Sequence, residues 1–276
     1  MGYDLILRRR DGELDEDTFV ELFNARSHYR FPDEDPSVAA YFNPSTEIYF
    51  HFRWTEPSDD EPTGALAFSI NFFRPPTFAL EAETELAEII ELLDLRVADP
   101  QVNGIEGETY DGDQFLRGWE HGNEHAYEAV RSQDPPPRLF HLPWETLERI
   151  WKWNFLHEVT AEENGGHYDT ALIGFAKLAG ELVTVAKIDL DRAGLLPRVD
   201  HVYIVRGERG TFASWDEVET ALALTEGDAI EDPWPYWAVT RSESEILDRM
   251  VNAKRPVVPI DSLDVQDVHA SEDVAS

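Results

Sequence analysis

The chain of 276 residues contains no cysteine, and only four of its 23 basic residues are lysines. The absence of cysteine excludes disulfide bonds, thiolate metal ligands and thiol nucleophiles. No stretch approaches the roughly 20 consecutive apolar residues that a membrane-spanning helix needs. The glycine-rich nucleotide-binding motifs and the nucleophile motif of serine hydrolases are absent too. Because these motifs are missing, we expect no cofactor. The first ten residues place apolar residues before arginines, the reverse of a secretory signal, so we expect a cytoplasmic protein.

Acidic residues dominate the charge of the chain. Its 56 Asp and Glu residues give a formal net charge of −33 at pH 7. A field of this sign repels DNA, RNA and anionic membranes, so we expect neither nucleic acid nor membrane as a partner. Two explanations of the acidity remain open. The surface is adapted to high salt, where screening removes the repulsion, or it captures a basic protein partner by complementary charge.

Hydrophobic periodicity predicts an α+β fold of mostly antiparallel sheets with flanking helices, built as one large or two packed domains. Alternation in 47–54 and an apolar run in 65–73 predict neighbouring strands joined by an acidic loop. Apolar residues at helical spacing predict helices over Leu80–Leu93 and Asp113–Arg131. In the second half, Ala179-Gly180 predicts a turn between two strands. Ser214 and Glu217 predict a helix-capping box.

Three consecutive prolines, 135–137, end the second helix and provide the best candidate for a boundary. They divide the chain into an N-terminal α+β half, residues 1–134, and a C-terminal α+β half, residues 138–253. The remaining segment, 254–276, has five acidic residues and no basic residue after Arg255. We expect this segment to be a disordered acidic tail.

The sequence 121–125, His-Gly-Asn-Glu-His, fits the H-x-x-E-H pattern of inverted zinc peptidases. On a helix, His121 and His125 lie one turn apart and could both reach a zinc ion, with Glu124 beside them as a proton acceptor. The alternative is a solvated helix face, because short patterns of this kind arise easily in a chain with nine His and 56 acids. The zinc site is therefore an alternative hypothesis, and the primary expectation is no metal.

Two clusters of aromatic residues could anchor a partner, since Trp, Tyr and Arg dominate binding hot spots. The first contains Trp151, Trp153 and Asn154, and the second contains Trp234 and Trp237. The competing interpretation is a hydrophobic core with a polar residue at its edge.

Arg74 is a further candidate for partner binding. In so acidic a chain it is expected to form an ion pair with a carboxylate. If it converges with Asp99 and Gln101, it could instead line a polar pocket.

Five segments carry a resemblance to a family: FNPSTEIYFHFRW (42–54), INFFRPPTFALEAE (70–83), ADPQ (98–101), FLRGWEHGN (115–123) and WKWN (151–154). Together they resemble a group of uncharacterised bacterial proteins, some of which are similar to immunity proteins of polymorphic toxin systems. The resemblance implies an intracellular protein that binds and neutralises a toxin, and it implies no catalytic residue.

The sequence thus favours a non-catalytic acidic binding protein, immunity-like, whose partner is a basic toxin. Two alternatives stay open. One is a zinc-dependent hydrolase that uses the H-x-x-E-H segment, and the other is a salt-adapted protein with a different role.

Overall fold

The computed structural model describes residues 2–32, 35–57, 64–101, 104–105, 109–136, 139–224, 229–230, 233–253, 261–264 and 268–271. Contacts group the chain into two compact units, unit 1 (Met1–Leu139) and unit 2 (Phe140–Ser276). The fold is α+β, with mostly antiparallel sheets and flanking helices, as predicted. Within the described residues, no helix is both long and apolar enough to cross a membrane.

Unit 1 contains β1 (Gly2–Arg9), α1 (Glu16–Asn24), β2 (Tyr29–Arg30), β3 (Val38–Asn43), β4 (Ile48–Thr55), β5 (Ala65–Asn71), α2 (Thr77–Leu93), β6 (Leu95–Ala98) and α3 (Gly112–Arg131). Its strands form one antiparallel sheet in the order β2-β3-β4-β5-β1-β6. The predicted strand alternation in β4 is confirmed, because Ile48, Phe50 and Phe52 are buried.

Helices cover the face of this sheet on which Phe52 and Phe68 lie. Phe23 of α1 packs against Phe52 with 5.2 Å between ring centroids, and Phe115 of α3 packs against Phe68 at 5.8 Å. Pairs of aromatic rings thus contribute to the packing of α1 and α3 on the sheet. The opposite face, which we call the open face, carries Arg30, His51 and Ser69 on neighbouring strands.

A buried carboxylate fixes the turn between β3 and β4. Glu81 of α2 is fully buried and its Oε1 accepts hydrogen bonds from Tyr41 (2.8 Å), Asn43 (3.0 Å) and Thr46 (3.0 Å). A charged residue on a helix is usually exposed, so the periodicity of α2 does not by itself predict the burial of Glu81. Three donors satisfy the carboxylate, which is the condition for burying such a group at all.

Unit 2 contains β7 (Phe140–Pro143), α4 (Trp144–Phe155), α5 (His157–Glu163), β8 (Asp169–Thr170), β9 (Ile173–Leu178), β10 (Glu181–Asp189), β11 (Gly194–Pro197), β12 (His201–Arg206), β13 (Arg209–Ser214), α6 (Trp215–Leu222), β14 (Tyr236–Val239), α7 (Arg241–Ala253), β15 (Asp261–Leu263) and β16 (Val268–Ser271). They form sheets in the orders β13-β12-β10-β9-β15, β14-β11-β8 and β16-β7. Three pairs are parallel: β10 with β12, β11 with β8, and β16 with β7.

Two local predictions in unit 2 are confirmed. The turn between β9 and β10 has positive φ at both Ala179 (52°) and Gly180 (90°), the conformation of a tight hairpin whose twist matches its strands. Ser214 and Glu217 form the predicted capping box at the start of α6. Both signals act over a few residues, so no distant contact can override them easily.

The expected disordered tail needs a correction. Asp261–Leu263 forms β15 and pairs with β9, while Val268–Ser271 forms β16 and pairs with β7. The side chains of Val268 and His269 are buried. Strand pairing orders these segments despite their charge, because each ladder satisfies backbone groups, and Val268 is buried while Leu263 is partly buried. Residues 254–260, 265–267 and 272–276 lie outside the described residues.

Candidate functional site

Two of the tryptophans predicted to anchor a partner belong to the core of unit 2. Trp153 is fully buried and Trp237 is 5% exposed. Trp153 donates from Nε1 to the carbonyl oxygen of Ala171 at 2.9 Å, and Trp237 packs on Trp215 with 5.1 Å between ring centroids. A buried indole offers no area to a partner, so the anchor interpretation of these two residues is corrected to a core role.

Asn154 is also a core residue and not a contact residue. Its side chain is buried and bonds both polar groups of Ile173: Nδ2 donates to the carbonyl oxygen and Oδ1 accepts from the amide, each at 2.8 Å. This pair of hydrogen bonds ties α4 to the first residue of β9. The interpretation of the cluster as a core with a polar residue is the correct one for Trp153 and Asn154.

Trp234 is half-buried and is held by unit 2 itself. Its Nε1 donates to the carbonyl oxygen of Arg198 at 2.6 Å, and the Arg149 guanidinium lies 5.2 Å from the ring centroid. A cation above the ring occupies the surface that an incoming side chain would use. The role of Trp234 is therefore mainly structural.

Trp151 differs from its neighbours because it lies on the outer side of α4. It is half-buried and packs on Phe155 with 5.3 Å between ring centroids. Leu156, between α4 and α5, is 38% exposed, and Val159 of α5 is 50% exposed. We call these four residues the aromatic–aliphatic patch. Trp151, Phe155 and Val159 are spaced by four residues and Leu156 adjoins Phe155, a spacing typical of one side of consecutive helical turns.

Exposed glutamates share α5 with Val159 of this patch. Glu158 is largely exposed, with 85% of its side chain accessible, and Glu162 and Glu163 are exposed at the end of α5. Lys152, the lysine on α4, forms an ion pair with Glu148 at 2.9 Å and so adds little free positive charge. Apolar residues next to exposed negative charge suit an interface whose partner is positively charged.

Arg74 occupies the turn between β5 and α2 in unit 1, and its expected ion pair does not form. Among the described residues no carboxylate lies within ion-pair distance of its guanidinium. Instead Nε and Nη2 donate to the hydroxyl of Tyr49 at 2.9 and 2.6 Å, and Nη1 donates to the carbonyl oxygen of Phe73 at 2.7 Å. The guanidinium also lies 5.5 Å from the centroid of the Tyr49 ring.

Asp99 and Gln101 hold a different stretch of backbone. Asp99 accepts a hydrogen bond from the Tyr3 hydroxyl at 2.7 Å and one from the Gly104 amide at 3.0 Å. Gln101 donates to the carbonyl oxygen of Gly2 at 2.9 Å. Burial and the neighbouring Asp99 raise the pKa of Tyr3 above its ordinary value. These residues therefore fix the start of β1, and they are not partners of Arg74.

The H-x-x-E-H segment lies on α3 with His121, Glu124 and His125 exposed, as its solvated-face interpretation predicts. The Nδ1 of His125 lies 2.8 Å from the carbonyl oxygen of His121, and the two rings are 4.6 Å apart. Within the described parts of the chain, no group of three or more His, Asp or Glu residues is arranged to hold a metal ion. For the zinc hypothesis, the described residues thus supply two neighbouring histidines without a third ligand.

The middle of the same segment has a packing role that the motif concealed. Gly122 lies against the Phe72 ring, which a Cβ would overlap. Asn123 is buried, and its Oδ1 accepts from the amides of Phe73 (2.6 Å) and Arg74 (3.2 Å). Two of the five residues are thus explained by docking α3 onto the turn after β5.

No family model, curated protein or solved structure matches this chain. The geometry of the described residues is therefore the basis for a functional proposal.

Proposed function

We propose that the protein is a non-catalytic binding protein that captures a positively charged protein through the aromatic–aliphatic patch of unit 2. The observation that carries the proposal is the exposure of Leu156 and Val159, which follow Trp151 and Phe155 in the chain and share α5 with exposed glutamates. The net charge of −33 gives the whole chain the sign that attracts such a partner. The resemblance to immunity proteins supports a basic toxin as the partner.

Charge and apolar contact would act on different steps of binding. Attraction between a negative protein and a positive partner raises the association rate, and added salt lowers that rate. Burial of the patch would slow dissociation, because the apolar area must return to water when the complex separates. A partner surface with lysines or arginines around one or two apolar side chains fits both features.

The proposal is tested by affinity capture from the source cells with three baits. They are the wild-type chain, the double variant Trp151→Ala/Val159→Ser, and the control Leu92→Ser. Leu92 of α2 is 64% exposed against 50% for Val159, so the control removes an even more exposed apolar side chain, from unit 1. We expect a basic protein to bind the wild type and the control, to be lost with the double variant, and to be released by 0.5 M KCl.

Recovery of the same basic protein by all three baits would mean that the partner binds at a surface other than the patch. If no basic protein is retained by the wild type at low salt, the proposed function is wrong. Circular dichroism of each bait verifies that the double variant is folded, which separates a lost contact from a lost fold.

A further inference from the structure

The open face of unit 1 contains a cavity of about 670 Å³. This size falls within the range of about 300–1,000 Å³ that is typical of small-molecule sites. Its lining includes the aromatic side chains of Phe42 and Tyr49, the imidazole of His51, and the arginines Arg30 and Arg53. Phe42 is 39% exposed, which is unusual for so large an apolar side chain.

The charged residues in the described lining are two arginines, Arg30 and Arg53, and one aspartate, Asp35, and Asp4 lies beside Ser69 at the end of the same row. Arg53 pairs with Asp35 at 2.7 Å, so its charge is compensated. Arg30 has no carboxylate partner among the described residues, and the same is true of Arg74, which bonds the Tyr49 wall of the cavity. Within the parts of the chain that the structure describes, two arginines at this cavity therefore have no carboxylate partner, although the sequence has 56 acidic residues. Guanidinium groups in this state bind carboxylates and phosphates well.

Strand register brings these groups together. Arg30 pairs with Ala40, Ala40 with His51, and His51 with Ser69, so their side chains lie in one row across four strands. Strands are spaced by about 4.8 Å, so Arg30 and His51 are roughly 10 Å apart at the backbone. That spacing admits a flat ring between an arginine and an imidazole.

The Tyr49 wall is fixed in place before any ligand binds. Its hydroxyl is held by Arg74, and the edge of its ring meets Phe78 with 5.4 Å between centroids. The turn that carries Arg74 contains Phe73 at φ 59°, a strained value for a residue other than glycine. Asn123 stabilises this turn through both amides and by donating to the carbonyl oxygen of Arg74 at 3.0 Å. Strain of this kind concentrates at functional sites, where it pre-organises a binding group.

We infer that this cavity binds a small organic anion with a flat aromatic body, such as an aromatic carboxylate. The rings of Phe42 and Tyr49 would pack on the body of the ligand, and Arg30 would bind its anionic group. His51 would complete the site with a ring hydrogen bond. This site is distinct from the aromatic–aliphatic patch and does not depend on the function proposed for unit 2.

The test compares 2-naphthoate with its neutral analogue 2-naphthamide, measured by calorimetry and proton NMR at 0.5 M KCl to screen the charge of the body. We expect naphthoate to bind the wild type at least tenfold more tightly than naphthamide. It should also shift the Cε1 proton of His51, which is identified by its loss in His51→Gln.

Arg30→Gln should weaken naphthoate binding by roughly tenfold, as expected for loss of one charge-assisted contact. Arg10→Gln is the matched control, since Arg10 is an exposed arginine of unit 1 that pairs with Asp94 at 3.3 Å. Equal affinity for the two probes, no binding of naphthoate at millimolar concentration, or equal weakening by both substitutions would overturn the inference.

Discussion

Unit 1 and unit 2 each use a buried asparagine to fasten a helix to the backbone beside a sheet. In unit 1, Asn123 of α3 bonds the turn of Phe73 and Arg74, and in unit 2, Asn154 of α4 bonds Ile173. Ile173 lies in a regular strand and its side chain is buried, so that fastening serves the core. Phe73 has positive φ, and Arg74 reaches the Tyr49 wall of a cavity. The same local chemistry therefore supports packing in one unit and a candidate binding site in the other.

Acidity is common to both units and so does not explain this difference. Unit 1 has 30 Asp and Glu against 11 Lys and Arg, a net charge of −19, and unit 2 has 26 against 12, a net charge of −14. What differs is the arrangement of the cations. The open face of unit 1 gathers arginines, whereas the helical side of unit 2 exposes apolar residues among glutamates.

The largest predicted effect separates core from surface within unit 2. Trp153→Ala should lower the free energy of unfolding by about 3–5 kcal/mol, because it leaves a cavity and orphans the carbonyl oxygen of Ala171. Trp151→Ala should lower it by about 1 kcal/mol, since this side chain is only half-buried. Urea unfolding followed by circular dichroism measures both. Equal losses would mean that the two indoles do not lie on opposite sides of α4.

The two asparagines provide the next comparison. Asn123→Ala and Asn154→Ala should each cost about 1–3 kcal/mol of unfolding free energy, because each leaves buried backbone groups without a partner. Only Asn123→Ala should also weaken binding of 2-naphthoate, through release of Arg74 and Tyr49. Calorimetric titration of both variants tests this. Equal affinity of the two variants for naphthoate would mean that the turn of Phe73 and Arg74 does not support binding in the cavity.

Added salt should stabilise the folded chain, because both units carry a large negative charge. Screening of the repulsion among the acids should raise the free energy of unfolding by about 1 kcal/mol or more between low salt and 1 M KCl, a rise in Tm of roughly 2–4 °C. Differential scanning calorimetry at several KCl concentrations measures the effect. An unchanged Tm would leave salt adaptation without support and favour a specific basic partner.

The smallest effect concerns His51. Burial is the main cause that lowers the pKa of His51, the charge of Arg53 lowers it further, and Asp4 opposes the change. Two other charged groups face this region. Arg30 lies in the same row of side chains, and Asp35 is paired with Arg53. A lowered folded-state pKa means that the unfolded chain binds the proton more tightly. The stability contributed by neutral His51 is therefore complete above the unfolded pKa of about 6.5 and is lost as the pH falls through the folded pKa.

The matched variant isolates this contribution. His51→Gln should reduce the loss of stability between pH 7 and pH 5 relative to the wild type, as measured by urea unfolding across that range. An identical pH profile in the variant would show that the imidazole is not held neutral by its surroundings.

The predictions from sequence succeeded where the signal is local. The β9–β10 hairpin and the capping box at Ser214 follow from adjacent residues whose backbone preferences need no distant partner. The candidate site was harder to predict. Helical spacing places Trp151 and Trp153 about 200° apart around α4, but it does not say which of them faces the core.

The sequence by itself determined the absence of thiol chemistry, the charge of −33, and the α+β pattern of alternating and helical segments. Tertiary structure alone decided that Glu81 is buried, that Arg74 binds a tyrosine and not a carboxylate, and that two segments of the acidic tail form strands. The physical reason is that each of these outcomes depends on groups far away in the chain. A carboxylate can be buried only where Tyr41, Asn43 and Thr46 meet it, and a tail can be ordered only where a sheet leaves an edge to pair with.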